Sequence, residues 1–535
     1  MGLMVQELIQ FLTSSKLLRR LLCGILVLTA ILVLEVEILS LRATNSDTIS
    51  NVESEERLGL PNKIPKEKEA RLIDLVAQSH PNVPFKFLDE QREQNWKKRK
   101  NKFCPRFPNL YELKIENELW QEFETSNGTF HLFRAYVDRR KLEVRGRVVR
   151  VLAMVDRVDP SVEIFCQFWY EHTHDPTLAK VEERKWIWVR GWGNYRQGAL
   201  QPFLLTCRLP IETPDHIPVF VSLAERPCDK AYNALKLYNR EEIATKKGQL
   251  AVCVKGLDFP TDDLTIRLIE WLEVLRALGA EKVFLYELSV HPNVQRALKY
   301  YAEDGFVDLT RLQLPGSQPN SGLLRHLYFK HKVTNKRQNE LIPYNDCLYR
   351  NIDRFDHVAL LDIDEVVVPL LHDSYAGLIR SVNRSRVLSG SSPKSSLCFR
   401  NVYFMDDMQS SALAADVPSY LHMLQSVRRT SSYSKVGSYV KCFHDTARVK
   451  TLHNHYPFSC LGGRGRCSAW NVDVAFGHLQ HYRRECVREL TRVCGSTYKN
   501  VTKTEPRLWA WKGEVVAGVR RALEALGYVE QEKLD

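Results

Sequence analysis

The sequence predicts an α/β protein: a β-rich, sandwich-like region followed by a domain built on a parallel β-sheet, with one transmembrane helix at the N-terminus. Three observations predict this architecture. An apolar run lies near the N-terminus, short β-type runs occupy residues 103–239, and strand patterns alternate with helix patterns from residue 250 onwards. Such alternation is typical of a parallel sheet with right-handed crossovers.

The N-terminal run LLCGILVLTAILVL occupies residues 21–34 and with its apolar flanks extends over 17–39. That length approaches the roughly 20 residues that cross a bilayer. Basic residues precede the run and acidic residues follow it, so the positive-inside rule predicts a cytosolic tail at 1–16 and a translocated C-terminal part. A cleaved signal peptide is the alternative, but no clear cleavage site follows. We therefore expect a single-pass type II membrane protein.

Cysteines and glycosylation sequons support a lumenal location for the part beyond the membrane. Of the 13 cysteines, Cys23 lies in the apolar run, which leaves 12. An even number suits disulfides in an oxidising compartment. Asn127, Asn383 and Asn500 each begin an Asn-x-Ser/Thr sequon for N-glycosylation.

Two cysteines and two histidines near the C-terminus raise the alternative of a zinc site. Cys460, Cys467, His478 and His481 carry ligand atoms that zinc prefers. Their spacing matches no common zinc module, and a lumenal location favours a disulfide. We therefore expect a bond between Cys460 and Cys467 that closes the short loop between them.

The charge and composition favour a folded protein on a polar tether. The formal net charge is +12, and its densest basic run, KKRKNK, lies at residues 97–102. A lumenal domain does not meet DNA or cytosolic RNA, so we expect no nucleic-acid partner and interpret this run as solvated. Residues 40–100 are polar and lack apolar periodicity, which predicts a stem. The remaining length predicts two domains, 101–245 and 246–535.

The first of these domains has the spacing of an antiparallel sheet or sandwich. Its β-type runs cover residues 148–155, 162–170, 185–190, 203–208 and 218–223. The region is rich in aromatic residues, namely Trp169, Tyr170, Trp186, Trp188, Trp192 and Tyr195. These rings form either a core or a platform on which sugars stack, and we favour the core.

The second domain begins with alternating elements. Strands are predicted at 250–254, 283–286 and 306–309, and helices at 261–278, 296–302 and 335–350. We expect Thr261 to cap the first helix and Gly279 to end it. The region contains neither G-x-G-x-x-G nor G-x-x-x-x-G-K-[ST], so neither the dinucleotide fingerprint nor the P-loop applies.

The run HVALLDIDEVVVP, at residues 357–369, is the most informative stretch of the chain. Residues 358–361 are wholly apolar, as in a strand buried on both faces of a parallel sheet. Asp362 and Asp364 follow at once, and two buried carboxylates without a counter-charge would be unstable. They should therefore emerge at the carboxyl edge of the sheet or hold a divalent cation.

Four stretches in a fixed order carry a family resemblance. They read LAVCVKGLDF at 250–259, IEWLEVLRALGAEKVFLYELS at 269–289, NDCLYRN at 345–351 and VALLDIDEVVVP at 358–369. In this order they resemble glycosyltransferase family 92 over roughly residues 250–482. The family is similar to the nucleotide-sugar transferases of GT-A fold, and its members include β-1,4-galactosyltransferases that act on fucose in N-glycan cores and on galactan chains.

The resemblance implies a metal site at the paired aspartates. In a GT-A site the Asp-x-Asp carboxylates hold Mn²⁺ or Mg²⁺, which bridges the two phosphates of a UDP-sugar. Asp364 is the leading metal ligand, Asp362 contacts the metal or the donor, and Glu365 is a donor-facing residue or a salt-bridge partner. A histidine usually follows late in such folds, and RVKTLHNHYPF offers His453 and His455, of which we prefer His455.

The transfer also requires a base and a donor pocket. Asp406 and Asp407 follow a strand predicted at 397–404 and are our candidates for the base that takes the acceptor proton, with Asp445 and Asp473 further along. Lys255 and Glu287 follow the first and second strands, where nucleotides bind in open α/β sheets. We expect Lys255 to meet a phosphate and Glu287 a ribose or uracil group.

The resemblance therefore implies a metal-dependent, inverting transferase in the Golgi membrane that moves galactose from UDP-galactose onto a glycan acceptor, such as a fucosylated N-glycan core. A transferase for another UDP-sugar and a catalytically idle, lectin-like protein are the alternatives. The sequence leaves open whether the protein is a monomer or a homodimer.

Overall fold

The computed structural model describes residues 66–85, 104, 106–171, 175–210, 217–241, 247–410, 414–462, 467–486, 491 and 494–528. The chain divides into two compact units, Met1–Asp74 and Leu75–Asp535. Within the described ranges, no helix has both the length and the apolar character needed to cross a bilayer. The predicted anchor at 17–39 lies outside the described residues.

Nine α-helices occur in the described part of the chain. They are α1 Lys66–Ser79, α2 Thr265–Ala277, α3 Pro292–Glu303, α4 Gly322–His331, α5 Val333–Asn339, α6 Leu341–Asn351, α7 Tyr375–Leu388, α8 His422–Gln425 and α9 Lys512–Ala525. The predicted helix at 335–350 is thus two helices, α5 and α6. Helix α1 lies within the predicted stem, where the polar sequence predicted no regular element.

The N-terminal strands form one eight-stranded sheet. They are β1 Gln121–Thr125, β2 Gly128–Asp138, β3 Val148–Val155, β4 Phe165–Trp169, β5 Thr177–Trp186, β6 Gln201–Arg208, β7 Phe220–Ala224 and β8 Leu235–Tyr238. Four predicted runs match β3, β4, β6 and β7. The run predicted at 185–190 overlaps only the last two residues of β5, because strand β5 begins earlier, in a polar segment.

The N-terminal sheet closes into a barrel, so the prediction of a sandwich is wrong. The strand order is β1-β2-β3-β6-β5-β4-β7-β8, and β2 also pairs with β8. This parallel pairing joins Ala135 to Leu237 and Tyr136 to Tyr238, which makes a closed circuit of seven strands with β1 outside it. Closure pairs both edges of each of the seven strands in the circuit, so that β1 alone remains an edge strand of this sheet.

The C-terminal strands are shared among a seven-stranded sheet and three small ones. They are β9 Gly248–Phe259, β10 Lys282–Val290, β11 Val307–Arg311, β12 Phe355–Leu360, β13 Glu365–Pro369, β14 Ser396–Phe399, β15 Asn401–Met405, β16 Arg428–Thr430, β17 Lys441–Asp445, β18 Val449–His453, β19 Tyr456–Cys460, β20 Ala469–Asn471, β21 Gly477–Arg483 and β22 Thr502–Thr504. The large sheet has the order β11-β10-β9-β12-β17-β14-β20.

The large sheet is mixed rather than wholly parallel. Strands β11, β10, β9 and β12 are mutually parallel, as the alternating pattern predicted, whereas β17 runs antiparallel to β12. The chain order reverses between β9 and β12, which makes that position a topological switch point. In open α/β sheets, ligands bind beyond the carboxyl ends of the strands at such a point.

A buried ionic cluster joins the barrel to the large sheet. The carboxylate of Asp346, on α6, accepts hydrogen bonds from Arg134 Nη1 at 2.8 Å and Tyr286 OH at 2.5 Å, and from Tyr136 OH. Asp346 is fully buried and Arg134 is 5% exposed at its side chain. Because Arg134 and Tyr136 belong to β2 and Tyr286 to β10, the cluster ties the two sheets through one carboxylate.

Six disulfides occur among the described cysteines. They are Cys104–Cys228, Cys166–Cys207, Cys253–Cys347, Cys398–Cys442, Cys460–Cys467 and Cys486–Cys494. They pair all 12 cysteines that follow Cys23, so the expectation of an even disulfide set is confirmed. The bond from Cys460 to Cys467 confirms the predicted closed loop and leaves no free thiolates there for zinc.

Candidate functional site

A cleft of about 490 Å³ lies at the switch point. The second half of β9, at residues 254–259, forms one wall, and residues 362–364, directly after β12, form another. The segment 481–485, at the end of β21, completes it. The paired aspartates therefore emerge at the carboxyl edge of the sheet, where the sequence predicted them.

Two lysines hold Asp362. Its Oδ1 lies 2.9 Å from Lys255 Nζ, and its Oδ2 lies 3.3 Å from Lys441 Nζ. Lys441 is 1% exposed and also donates to Asn454 Oδ1 at 2.7 Å and contacts Glu365 Oε2 at 3.0 Å. Its three N–H groups thus have three acceptors. The antiparallel register places the start of β17 beside the end of β12, which brings Lys441 to Asp362.

His481 joins the other two acidic side chains. Its Nε2 lies 3.3 Å from Asp364 Oδ2, and its Nδ1 lies 3.3 Å from Glu365 Oε1. The pairing of β13 with β21 sets Glu365 directly opposite His481. Glu365 is buried, and its Oε2 accepts the backbone N–H of Asp362 at 3.2 Å. It therefore braces the turn that carries both aspartates.

These contacts set the ionisation of the site. Burial alone would raise the pKa of Asp362, but the ammonium groups of Lys255 and Lys441 outweigh it and hold this pKa well below its usual range. Burial likewise opposes ionisation of Asp364, yet the hydrogen bond from His481 leaves its pKa lowered. For Glu365 burial prevails and raises the pKa. The two aspartates are therefore anionic at neutral pH.

The residues present fit a divalent cation that is completed by phosphates. Asp364 is 44% exposed at its side chain and shares the cleft with the imidazole of His481. Among the described residues, no group of three or more His, Cys, Asp or Glu is placed to hold a metal by itself. One carboxylate and one imidazole suit Mn²⁺ or Mg²⁺ when phosphate oxygens and waters supply the other ligands.

The walls of the cleft also carry cationic side chains. Besides Lys255, they are Arg267, Lys336, Arg483 and Arg484. Arg267 Nη2 lies 3.7 Å from Asp406 Oδ2. Several cations in one concave site favour a polyanionic ligand.

The far end of β9 offers groups for a ring and its hydroxyls. Asp258 and Phe259 line the cleft. The Asp258 carboxylate contacts His326 Nδ1 at 3.0 Å, which fixes its orientation. A carboxylate beside an aromatic ring suits a sugar hydroxyl beside a flat heterocycle.

Of the two proposed base candidates, the structure brings one to the edge of the cleft. Asp406 Oδ1 lies 2.8 Å from Nε2 of His422, and His422 lines the cleft. Burial lowers the pKa of His422 in spite of Asp406, so this ring is neutral at pH 7. Asp407 pairs with Lys499 instead. Neither aspartate is among the residues that line the cleft.

Neither Glu287 nor His455 is among the residues that line the cleft of the paired aspartates. Glu287 is buried and accepts a hydrogen bond from Gln295 Nε2 at 3.1 Å. His455 and His453 line a second cleft, of about 750 Å³, and His455 Nδ1 lies 3.1 Å from the Val440 carbonyl oxygen. The histidine in contact with Asp364 is His481.

The predicted sequons differ in exposure. Asn500 is exposed, whereas Asn127 and Asn383 are half-buried. Asn127 lies in the turn between β1 and β2, where its Oδ1 accepts from Arg157 Nη1 at 3.0 Å. Asn383 lies on α7.

Sequence reasoning did not single out Lys441, and it considered His481 only as part of the zinc alternative that it set aside. Lys441 begins the β-type run KCFHD, in which a lone lysine among buried residues was the available signal. His481 lies three residues after His478 on β21, and together with the nearby cysteines these histidines suggested a zinc site rather than a contact with the aspartates.

Comparison with known protein families matches residues 248–511 to the model of glycosyltransferase family 92. The match begins with β9 and ends at the close of the 3₁₀ segment Arg507–Trp511, so it contains both aspartates, Lys441 and His481. No curated protein matches the chain.

Proposed function

The chain belongs to glycosyltransferase family 92 through residues 248–511, and on this premise we propose that it transfers galactose from UDP-galactose, with inversion, onto a glycan acceptor. The glycosyltransferase activity follows from the family. The donor, the β linkage, the acceptor and the metal dependence are the proposal. A fucosylated N-glycan core is the acceptor class that we propose to test first.

The observation that carries the proposal is the pair of aspartates in a cation-lined cleft at the switch point. Lys255 and the arginines of the β21 end face the diphosphate of the donor, and Asp258 with Phe259 receive its nucleoside. Asp364 and His481 are the residues that would hold Mn²⁺ or Mg²⁺. When bound, the cation neutralises the charge that develops on the departing UDP. Asp362, held by two lysines, contacts the donor and orients the turn.

The acceptor hydroxyl must lose a proton as it attacks the anomeric carbon. We assign this step to His422 and Asp406. The imidazole takes the proton at the cleft, and Asp406 holds the ring through Nε2 and stabilises the cation that forms. Of the two aspartates proposed from the sequence, Asp407 is the weaker candidate for this step, because its carboxylate is paired with Lys499.

The cellular setting is part of the proposal. We propose a type II Golgi membrane protein anchored at 17–39, with the part that carries the cleft in the lumen and N-glycans on the three sequons. The six disulfides support an oxidising compartment.

A transfer assay on the secreted fragment from residue 61 tests the proposal. The fragment is incubated with UDP-galactose, UDP-glucose or UDP-GlcNAc, a fucosylated N-glycan and Mn²⁺, and the glycan mass is measured. We expect one added hexose from UDP-galactose, lost with EDTA and in Asp364→Asn. An added mass from another donor would correct the sugar. No product from any donor, with glycan binding retained, would favour the lectin-like alternative.

A further inference from the structure

The second cleft adjoins the first. Lys255 and Lys336 line both of them. Asn454 and Tyr344 line the second cleft, and Asn454 Oδ1 accepts from Tyr344 OH at 3.0 Å. Asn454 Oδ1 also accepts from Lys441 Nζ, which contacts Asp362 of the first cleft. A ligand there lies next to the carboxylates of the first cleft.

A row of aromatic rings forms one wall of the second cleft. The ring centroids of Trp192 and His453 are 4.4 Å apart, and those of His453 and Tyr456 are 4.9 Å apart with planes at 24°. Trp188 packs edge-on against Trp192 at 4.8 Å. Tyr456 is 37% exposed. Flat, partly exposed rings bind the apolar faces of sugars, and the nearby Glu340, Arg337 and Asn454 can meet their hydroxyls.

Two parts of the chain build this wall. Trp188 and Trp192 follow strand β5 of the barrel, whereas His453 and Tyr456 belong to the β18–β19 hairpin of the family 92 domain. Lys450 Nζ, on β18, lies 2.6 Å from Glu183 Oε1, on β5, which fixes the hairpin against the barrel. The aromatic row therefore exists only while barrel and hairpin are in contact.

We propose that the second cleft is the acceptor site, where a glycan of two or more sugar rings stacks along Trp192 and Tyr456 with its reactive hydroxyl directed to the first cleft. The inference rests on the proposed transferase function and adds to it: the barrel supplies part of the acceptor site. The aromatic residues of the barrel are thus divided, because Trp169 and Tyr170 are buried away from the second cleft, whereas Trp188 and Trp192 line it.

The test compares Trp192→Ala and Tyr456→Ala with Tyr195→Ala, in the fragment from residue 61. Tyr195 lies in the same segment as Trp192 and is 43% exposed, but it does not line the cleft. We expect both cleft variants to raise the acceptor KM by about ten-fold or more. The KM for UDP-sugar and the slow hydrolysis of UDP-sugar without acceptor should stay unchanged, as should all constants of Tyr195→Ala.

A direct measurement of glycan binding tests the acceptor site without requiring turnover. Saturation-transfer NMR with the free fucosylated glycan should show contacts in the wild type that weaken in both cleft variants. An unchanged acceptor KM and unchanged glycan contacts in the folded variants would overturn the acceptor site, as would the absence of glycan binding by the wild type. Should Trp192→Ala fail to fold, Tyr456→Ala decides, because its ring is the more exposed. Failure of the proposed transfer would appear separately, as no UDP release by the wild type.

Discussion

Lys441 shows how one buried cation organises the acidic turn. It contacts Asp362 and Glu365 and is almost fully buried. Removing one partner of a buried ion pair leaves an uncompensated charge, which typically destabilises a protein by several kcal/mol. The contacts of Lys441 with Asp362 and Glu365 therefore stabilise the acidic turn. Asp364, in contrast, is half-exposed and remains available to a cation.

The neighbouring Asp406 and Asp407 form a matched pair for testing the proton transfer. Asp406→Asn removes the carboxylate that orients His422, and we expect kcat to fall by about 100-fold with little change in the donor KM. Asp407→Asn, which breaks a contact with Lys499, should leave kcat within about two-fold. Steady-state kinetics of the two variants check this. Equal activity of both would place the base elsewhere.

At the residue level, the sequence could identify those site residues that lie on one continuous pattern. Asp362 and Asp364 end a wholly apolar run, so their position at the sheet edge followed from local sequence alone. Lys441 and His481 reach the same turn through antiparallel pairing with distant strands. Such pairing depends on register, which a single sequence does not display.

The bounds of β9 and α2 depend both on the local sequence pattern and on the tertiary contacts of each element. The strand predicted at 250–254 extends to Gly248–Phe259, because pairing with β10 continues past two register shifts. Helix α2 ends near Gly279, as predicted, but begins at Thr265 rather than after Thr261. Asp263 accepts from the Thr265 N–H and hydroxyl, which stabilises this later start.

Helix α2 also carries a buried acid that should make stability depend on pH. Burial raises the pKa of Glu270 to about 7, although its Oε1 accepts the N–H groups of Met423 and Leu424. A raised pKa favours the folded state while the group is protonated. The contribution of Glu270 to the free energy of unfolding is therefore fully present below pH 4.5 and is lost as the pH rises through 7. The loss amounts to about 3 kcal/mol.

The variant Glu270→Gln isolates this effect. We expect the difference in unfolding free energy between wild type and variant to change by about 3 kcal/mol between pH 4.5 and 8, in the direction that favours the wild type at low pH. Urea unfolding at several pH values measures it. Glu303→Gln, at an exposed position of α3, controls for loss of a carboxylate. A difference that is constant with pH would contradict a raised pKa for Glu270.

In the molecule as a whole, the closed barrel and the large sheet behave as parts of one compact unit. The sequence predicted β-type runs in the barrel but no closure, because the parallel contact of β2 with β8 joins strands about 100 residues apart. The sequence likewise predicted neither the shared cluster at Asp346 nor the contact of Lys450 with Glu183, since both depend on the docking of two separately patterned regions.

The Asp346 cluster predicts that the two parts unfold together. In Asp346→Asn, buried Arg134 loses its counter-charge, so we expect a loss of about 3–5 kcal/mol in unfolding free energy. The midpoints of urea unfolding measured by fluorescence and by circular dichroism should shift together. Disruption of the exposed pair Lys299–Glu303 by Glu303→Gln should cost less than about 1 kcal/mol. Separate transitions for the barrel and the large sheet would contradict the shared unit.

The proposed function requires that the cleft at Asp362 and Asp364 bind the diphosphate of a nucleotide-sugar together with a cation. Calorimetric titration of UDP into the secreted fragment, with Mn²⁺ or with EDTA, measures this binding. We expect UDP to bind at least about ten-fold more tightly with Mn²⁺ than with EDTA, and Mn²⁺ alone to bind weakly. The effect of Mn²⁺ should be lost in Asp364→Asn but not in Asp407→Asn. A UDP affinity that is the same with Mn²⁺ and with EDTA, or an effect of Mn²⁺ that is unchanged in Asp364→Asn, would contradict this cation-dependent binding.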